Sequence, residues 1–527
     1  MLKPDFSPVA MEVLKARYLW KLEGGTQETP NDMFWRVANS IAIDPIDAQA
    51  FHDEMTALRF LPNSPTLMNA GKPAPHGQLS ACYVVGLEDN MQSICEALRK
   101  QMLIHKSGGG TGFDFTPLRA QGAKVNTTNG VASGPVSFMQ LFDTATEVVQ
   151  QGGMRRGANM GILSVHHPDI NKFIDAKVIE GKFKNFNISV KVDDTFMQAI
   201  ADGTATDEQE ILFAHIIDSA WKSGDPALIF IDTINKHNPT PELGDIQATN
   251  PCGETPLYAN EACNLGSINL SHFFTQPNFA GAVPSDYIDW QQLERTIRIA
   301  VRFLDRVIDI NQYPLPEIDQ ACKRTRKVGL GVMGWADLLI RLGIRYGSKE
   351  SLALADEVMS FINRTAPDES VQMNPRKTQK NATLTCIAPT GTLSMLAGCS
   401  SGIEPNFAYQ YTRLVLGEKV DMLHPLYQDA VENDWYDPDI FQTAFSVTPQ
   451  EHVAMQAAFQ KHTDLAVSKT VNLPSTATHM EIADIYISAW QQGCKGISVY
   501  RDKCKSEQVL STPDNPNKVC PECQITL

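Results

Sequence analysis

The chain has 527 residues, 43% hydrophobic and 20% charged, and its 45 Lys and Arg against 60 Asp and Glu give a net charge of −15. That acidic balance excludes a nucleic-acid binder that clamps phosphates, which needs a basic surface. At roughly 150 residues per domain the length allows about three domains, or one unusually large α/β unit with appendages.

The N-terminus meets Pro4, Asp5 and Glu12 before any apolar run forms, so it does not read as a secretory signal and a reducing, cytoplasmic setting is expected. Residues 1–60 read as an all-helical region, with apolar residues at helical spacing over 13–22, 33–43 and 48–58 between Pro and Asp breaks. The loop LPNSPTLMNAG follows at 61–71. From 61 to 505 there is no linker, repeat or low-complexity tract, which predicts one domain of alternating strands and helices. A helix is expected over 91–105, capped by Asp89 or Asn90 and running into the glycine loop SGGGTGF at 107–113. Another is expected around 137–149, followed by QGGMRRGANMG at 151–161, where Arg155 and Arg156 sit among glycines. Such loops bring backbone N–H groups close to a phosphate or simply make tight turns, and both readings stay open. The stretch 299–310 is cut by Arg302, Asp305, Arg306 and Asp309, and no window reaches the ~18 apolar residues of a membrane helix. Gly329 to Gly334 fits the dinucleotide fingerprint letter for letter, but no apolar strand precedes it. These glycines are therefore expected to ease packing before a helix at 335–342. Residues 506–527, rich in Pro and Asn, read as a flexible tail.

The eleven cysteines are odd in number and scattered, which argues against a disulfide framework. The most informative is Cys252 in Asn250-Pro-Cys-Gly-Glu254. Pro251 and Gly253 bracket it, which predicts a tight, exposed turn with the thiol at its tip. A carboxylate beside a thiol raises the thiol pKa, which disfavours a thiolate nucleophile and suits hydrogen-atom chemistry with a nearby base. No His lies close in sequence, so a cysteine protease is disfavoured, and the spacing from Cys252 to Cys263 is not that of a zinc-binding CxxC.

NSPTLMNAG (63–71), SACYV (80–84), GGGTGF (108–113), QQGGMRRGANMG (150–161), NPCGE (250–254), ACNLGSINL (262–270), APTGTLSMLAGCSSGIEPNF (388–407) and GCKGISVYRD (493–502) occur in the order seen in ribonucleotide reductase catalytic subunits. The chain resembles most the adenosylcobalamin-dependent (vitamin B12-dependent) class II members, over residues 10–502. The resemblance implies an α/β barrel of ten strands, in two antiparallel halves of five parallel strands, around a central finger loop that carries Cys252. It divides the chain into a helical region at 1–60 without an ATP-cone, the barrel at 61–505 and a redox-active tail at 506–527. The implied reaction reduces ribonucleotides, expected as diphosphates, to 2′-deoxyribonucleotides for DNA synthesis by thiyl radical chemistry.

On this resemblance Cys252 becomes the thiyl radical that takes the 3′-hydrogen, Glu254 takes the 3′-OH proton, and Asn250 holds the ribose hydroxyls. Cys82 and Cys263 resemble the reducing pair on neighbouring strands that ends as a disulfide. Ser64, Ala81, Cys82, Gly110 and the run from Asn250 through Pro251 and Gly253 to Glu254 match substrate-contacting positions. Pro389, Thr390, Gly391, Thr392 and Leu393 resemble a phosphate cradle at a strand end and helix N-terminus. Asp89 and Arg119 match the allosteric specificity site at a homodimer interface, where a deoxynucleotide or ATP effector selects the base. The loop 120–130 would wrap that effector, and 151–160, with Arg155 and Arg156, would relay its identity. Cys520 and Cys523 resemble the C-terminal dithiol that re-reduces the disulfide before thioredoxin or glutaredoxin resets it. The rival reading of the tail is a zinc site from Cys494, Cys504, Cys520 and Cys523; no resident metal is otherwise expected.

Three radical generators serve this family. A metal-containing partner subunit works through adjacent tyrosines, but here Val499 precedes Tyr500; a glycyl radical needs a motif such as RVCGY, but the tail reads CPECQITL. Adenosylcobalamin remains. The alternatives are a class I large subunit with a separate metal subunit, and a catalytically silent nucleotide-binding regulator, against which the intact Asn250, Cys252, Glu254, Cys82 and Cys263 argue.

Overall fold

In the computed structural model, which describes residues 4–22, 24–72, 77–125, 130–149, 157–277, 281–415, 418–505 and 510–511, proline opens each of the first three helices. Pro8–Val13, Pro30–Ile41 and Pro45–Thr56 each begin behind Ser7, Thr29 or Asp44, whose side chain accepts an N–H of the first turn. Pro8 thus starts a helix where the sequence pattern suggested a break, because the first turn has no hydrogen bond for proline to lose. That helix runs on through a π-helical turn, Leu14–Tyr18, which shifts its span towards the N-terminus of the expected 13–22. Phe34, Val37, Phe51 and Met55 pack into one apolar core with Leu293, Ile297 and Phe303 of the long helix Trp290–Ile310.

Five parallel strands make one half of the barrel: β1 (Cys82–Val84), β2 (Gly110–Asp114), β3 (Asn159–Ser164), β4 (Phe186–Val192) and β5 (Ala227–Phe230), adjacent in that order. Parallel neighbours need crossovers, and the helices Met91–Ser107 and Pro135–Val148 supply two of them. The other half holds β6 (Glu261–Asn269), β7 (Val328–Met333), the segment 383–387, β8 (Thr470–Leu473) and β9 (Gly496–Arg501). The β6–β7 and β8–β9 pairs are parallel, and 383–387 bridges them through Thr385 to Leu330 and Ile387 to Val467, also in parallel. The halves meet antiparallel at β1–β6 and at β5–β9, closing the ring. Of the ten strands in the sheet, nine form this ring, and Phe60–Pro62 pairs antiparallel along β6. This is the barrel that the resemblance implied.

Glycines make two close approaches possible. A Cβ on Gly331 would stand 2.1 Å from the Cys386 carbonyl oxygen, and one on Gly329 would stand 2.6 Å from Cys386 Cβ. The fingerprint-like run is therefore a buried strand that lets 383–387 come alongside, which corrects the expectation that its glycines ease helix packing. In the first glycine loop, Gly108 ends the helix at φ 104°, whereas Gly110 and Gly112 belong to β2. A Cβ on Gly112 would lie 1.7 Å from the Thr249 carbonyl oxygen, and one on Gly110 would lie 2.8 Å from Pro251 Cγ. These two glycines make room for a finger inside the barrel, a hairpin of Ala248–Thr249 against Pro256–Leu257 whose tip is 250–255. No helix among the described residues is long and apolar enough to cross a membrane.

Candidate active site

The finger is fastened to both halves of the barrel. Asn187 of β4 donates from Nδ2 to the Pro251 carbonyl at 2.8 Å; from the other half, Ala466 N (2.9 Å) and Cys386 Sγ (3.3 Å) donate to the Glu254 carbonyl. Within the tip, Thr255 N donates to Asn250 Oδ1 at 2.9 Å and Gly253 N to Asn250 O at 3.1 Å, with Gly253 at φ +81°. The turn is as tight as the sequence predicts but not exposed. Asn250, Pro251 and Glu254 are buried and Cys252 is half-buried, because the tip lies inside the barrel.

Strand register brings the two other expected cysteines together. Cys82 of β1 is the direct antiparallel partner of Cys263 of β6. Such partners have Cα atoms about 4.5–5.5 Å apart, inside the range that a disulfide bridges. Cys82 Sγ accepts from Asn250 Nδ2 at 3.0 Å and lies 3.8 Å from Glu254 Oε1. Cys263 is wholly buried behind it, its Sγ 3.6 Å from the Asn264 carbonyl and 3.7 Å from that of Lys327. Burial pushes the Cys263 thiol well above its ordinary pKa, with Cys322 adding to the rise and Lys327 opposing it. Burial and then Glu254 do the same to Cys386. Both shifts favour the protonated thiol.

Ser64, Ala81, Cys82, Gly110, Asn250, Pro251, Cys252, Glu254 and the whole run from Pro389 to Leu393 line one cavity of about 150 Å³. Thr390 enters the short helix Gly391–Ala397 at φ 53°, its hydroxyl accepting from Gly402 N at 2.8 Å. The first turn of a helix has N–H groups without an intrahelical acceptor, and here that turn faces the cavity. The Ser64 hydroxyl is 2.8 Å from Tyr18 Oη of the helical region. Three further polar residues line the cavity that were not expected there individually: Asn63, Asn187 and Ser267. Asn63 opens the NSPT motif and Ser267 lies within ACNLGSINL, so only Asn187, near the start of β4, had nothing in its neighbours to mark it.

A second, larger cavity of about 400 Å³ lies across the finger, and Cys252 borders both. Gly253, expected on the substrate side, lines this second space instead, together with Ser468, Lys469, Ser498 and Lys505. Lys469 pairs with Glu404, and Lys505 lies 3.6 Å from Asp225.

Away from these cavities, Arg119 Nε donates to Asp89 Oδ2 at 2.6 Å, and its backbone N–H donates to Oδ1 at 3.2 Å. Both side chains are about one-third exposed (38% and 34%), beside the strand pair Lys124–Val125 and Gly130–Val131. Arg155, Arg156, Cys520 and Cys523 lie outside the described residues. Cys494, of the rival zinc set, is fully buried, and burial pushes its thiol up to about 12.

Residues 80–208, 203–379 and 375–500 match the family described as the ribonucleotide reductase barrel domain, and residues 4–75 match the ribonucleotide reductase all-alpha domain. The chain is 43% identical to a protein of Thermoplasma acidophilum named vitamin B12-dependent ribonucleoside-diphosphate reductase, over 96% of this chain and 72% of that one. A protein of the same name from Mycobacterium tuberculosis is 40% identical over 96% of this chain and 81% of its own length. Among solved structures, the Actinobacillus ureae class Id ribonucleotide reductase alpha subunit superposes with a TM-score of 0.79 at 22% identity, covering 95% of this chain and 98% of that one, a likeness of fold. With the all-alpha and barrel matches spanning nearly its whole length, the chain belongs to the ribonucleotide reductase family.

Proposed function

We propose that the chain reduces ribonucleoside diphosphates to 2′-deoxyribonucleotides by a thiyl radical on Cys252, with adenosylcobalamin as its cofactor. The observation that carries this reading is the position of the Cys252 thiol between two cavities, one lined by Cys82, Asn250 and Glu254, the other lined by no chemistry-bearing thiol but Cys252 among the described residues. The relatives named as vitamin B12-dependent support the cofactor.

The larger cavity, at about 400 Å³, would take part of such a group beside Cys252. A Cβ on Gly253 would meet no atom within 4 Å, so glycine there leaves the space beside Cys252 unfilled. Ser498, Ser468 and Lys505 would hold the group by hydrogen bonds along the wall. Once bound, adenosylcobalamin supplies a homolytically cleavable bond and hence radical chemistry that no side chain provides.

In the smaller cavity the first turn at 391–393 holds the substrate phosphates by backbone N–H groups, and Asn250 orients the ribose. The Cys252 sulfur radical takes the hydrogen atom from C3′ while the Glu254 carboxylate takes the 3′-OH proton. Cys82, which faces the cavity, protonates the departing 2′-hydroxyl, and water leaves. The pair then passes the Cys263 hydrogen to C2′ and a second electron to the 3′-ketone, closing as a disulfide; Glu254 returns the proton to the 3′-oxygen, and Cys252 returns its hydrogen atom to C3′. One dithiol is oxidised for each ribonucleotide reduced.

Thioredoxin or glutaredoxin resets the disulfide through Cys520 and Cys523. The Asp89–Arg119 pair binds the effector's ribose and phosphate, with Arg155 and Arg156 in the loop that relays its identity. The helices Met91–Ser107 and Pro135–Val148, beside that pair, present Met91, Met102, Leu141 and Val148 to a second copy in a homodimer. The test is anaerobic CDP reduction by the purified chain with dithiothreitol and an effector nucleotide, with and without adenosylcobalamin. Turnover only with the cofactor is expected. Turnover that instead requires an added metal-containing subunit would overturn the reading.

A further inference from the structure

Two positions along β6 from Cys263, and on the same face, the Glu261 carboxylate meets the Lys327 ammonium at 2.8 Å, with both side chains 1% exposed. Glu261 Oε1 also accepts from Thr325 Oγ1 at 2.8 Å and Oε2 from Tyr258 N at 3.0 Å; the ammonium stands 4.3 Å over the Tyr258 ring. An ion pair this deeply buried gains little over well-packed apolar side chains of the same volume, so stability does not account for it. Its location has a chemical consequence. β6 and β7 run parallel with Asn264 opposite Val328, so Lys327 lies across from Cys263, whose sulfur is 3.7 Å from the Lys327 carbonyl; at that place the lysine charge favours the thiolate and Glu261 opposes it.

Re-reduction of a Cys82–Cys263 disulfide is asymmetric, because Cys82 lines the cavity and Cys263 does not. An incoming thiolate attacks the Cys82 sulfur, the S–S bond breaks, and its electron pair leaves on Cys263. A second thiolate of the same dithiol reductant then displaces Cys82 and closes the reductant's own disulfide, and the reductant's two protons restore both thiols. The rate of such exchange rises as the leaving thiolate is stabilised, and burial alone makes Cys263 a poor leaving group. We propose that Lys327 is a positioning residue for this reset, its ammonium stabilising Cys263 as the departing thiolate while Glu261 holds the ammonium in place. This rests on the reading of Cys82 and Cys263 as the reducing pair.

The experiment separates chemistry from reset. Pre-reduced protein with adenosylcobalamin and CDP, but no external reductant, is taken through one turnover, and reduction of the resulting disulfide by dithiothreitol is then timed. In Lys327→Met the deoxycytidine product of the first turnover is expected at wild-type yield, with the reset at least tenfold slower; Lys327→Arg is expected to restore the rate to within threefold. Glu261→Gln, which relieves the ammonium of its counter-charge, is expected to speed the reset severalfold. Opposite signs for the two variants are what a merely structural role does not produce. If either charge left alone prevents folding, the neutral pair K327M/E261Q is used instead, and its reset is expected to be slower than wild type. Rates within twofold of wild type, or slowing by Glu261→Gln as well as Lys327→Met, overturn the proposal. A wild-type protein that forms no Cys82–Cys263 disulfide after its first turnover refutes the underlying reading instead.

Discussion

On one side of the finger the cavity is small and chemically dense: Cys82 contacts both Asn250 and Glu254, and the first turn of the helix at 391–397 lines the same space. On the other side the space is larger and its charged groups are tied into the wall, Lys469 to Glu404 and Lys505 near Asp225. On the proposed function the difference is that between reacting and holding. Groups that act on a transition state must be preorganised against one another, whereas a cofactor needs room and neutralised walls. Cys252 is the point of contact between the two requirements, and a glycine beside it keeps the second space open.

The change that bears hardest on this comparison is Cys252→Ala. Turnover is expected to fall by on the order of 10³-fold or more, as when a reacting group is removed elsewhere, with CDP affinity within about twofold of wild type. Calorimetric titration of CDP beside a turnover assay checks both halves, and loss of nucleotide binding would make Cys252 part of the fold rather than of the chemistry.

Filling only the larger cavity comes next. Ser498 is half-buried on its wall, its hydroxyl donating to the Lys469 carbonyl at 3.0 Å. Ser498→Trp is expected to weaken adenosylcobalamin binding at least tenfold, about 1.4 kcal/mol, while CDP affinity stays put. The visible spectrum of the cofactor reports the first and calorimetry the second; equal losses of both ligands would mean that the two spaces are not separate sites.

Acid is the mildest probe. His452, next to the wall of the larger cavity, is fully buried with Nε2 3.0 Å from the Ala444 carbonyl, and burial, helped by the Lys469 charge, lowers its pKa to about 2. His105, behind the smaller cavity, is lowered by burial to about 4. In the unfolded chain both take up a proton near pH 6.5. The folded state does not, so the unfolded state binds more protons and stability drains away as pH falls below that point. Each histidine contributes up to ~1.4 kcal/mol per pH unit, His105 until about pH 4 and His452 further still. His452→Gln is expected to flatten the slope of unfolding free energy between pH 6 and 4 by up to one proton's worth. An unchanged slope in urea titrations at three pH values would show that His452 is already protonated in the fold.

Much of the chemistry was legible along the chain because turns and caps are local. Pro251 and Gly253 announce a tight turn around Cys252, and Asn90 caps the helix at 91–107 through Ser93 N, as its type and position suggest. The strands were harder. All nine residues of β6 are buried, so polar-apolar alternation is erased, and Gly329 and Gly331 disguise β7 as a loop. Asn187 holds the finger with one hydrogen bond and has no neighbours in sequence that mark it.

By itself the sequence determined which residue types stand where: the bracketed thiol with its amide and carboxylate, the glycines that admit a finger, the threonine and glycine that open a short helix on the smaller cavity. Only the tertiary structure decided that Cys82 faces Cys263, that Lys327 lies beside that pair, and that Cys252 divides two cavities. Each of these depends on register and ring closure between distant strands. A slip of one residue would turn every side chain of a strand to its other face, and no short stretch of sequence encodes that choice.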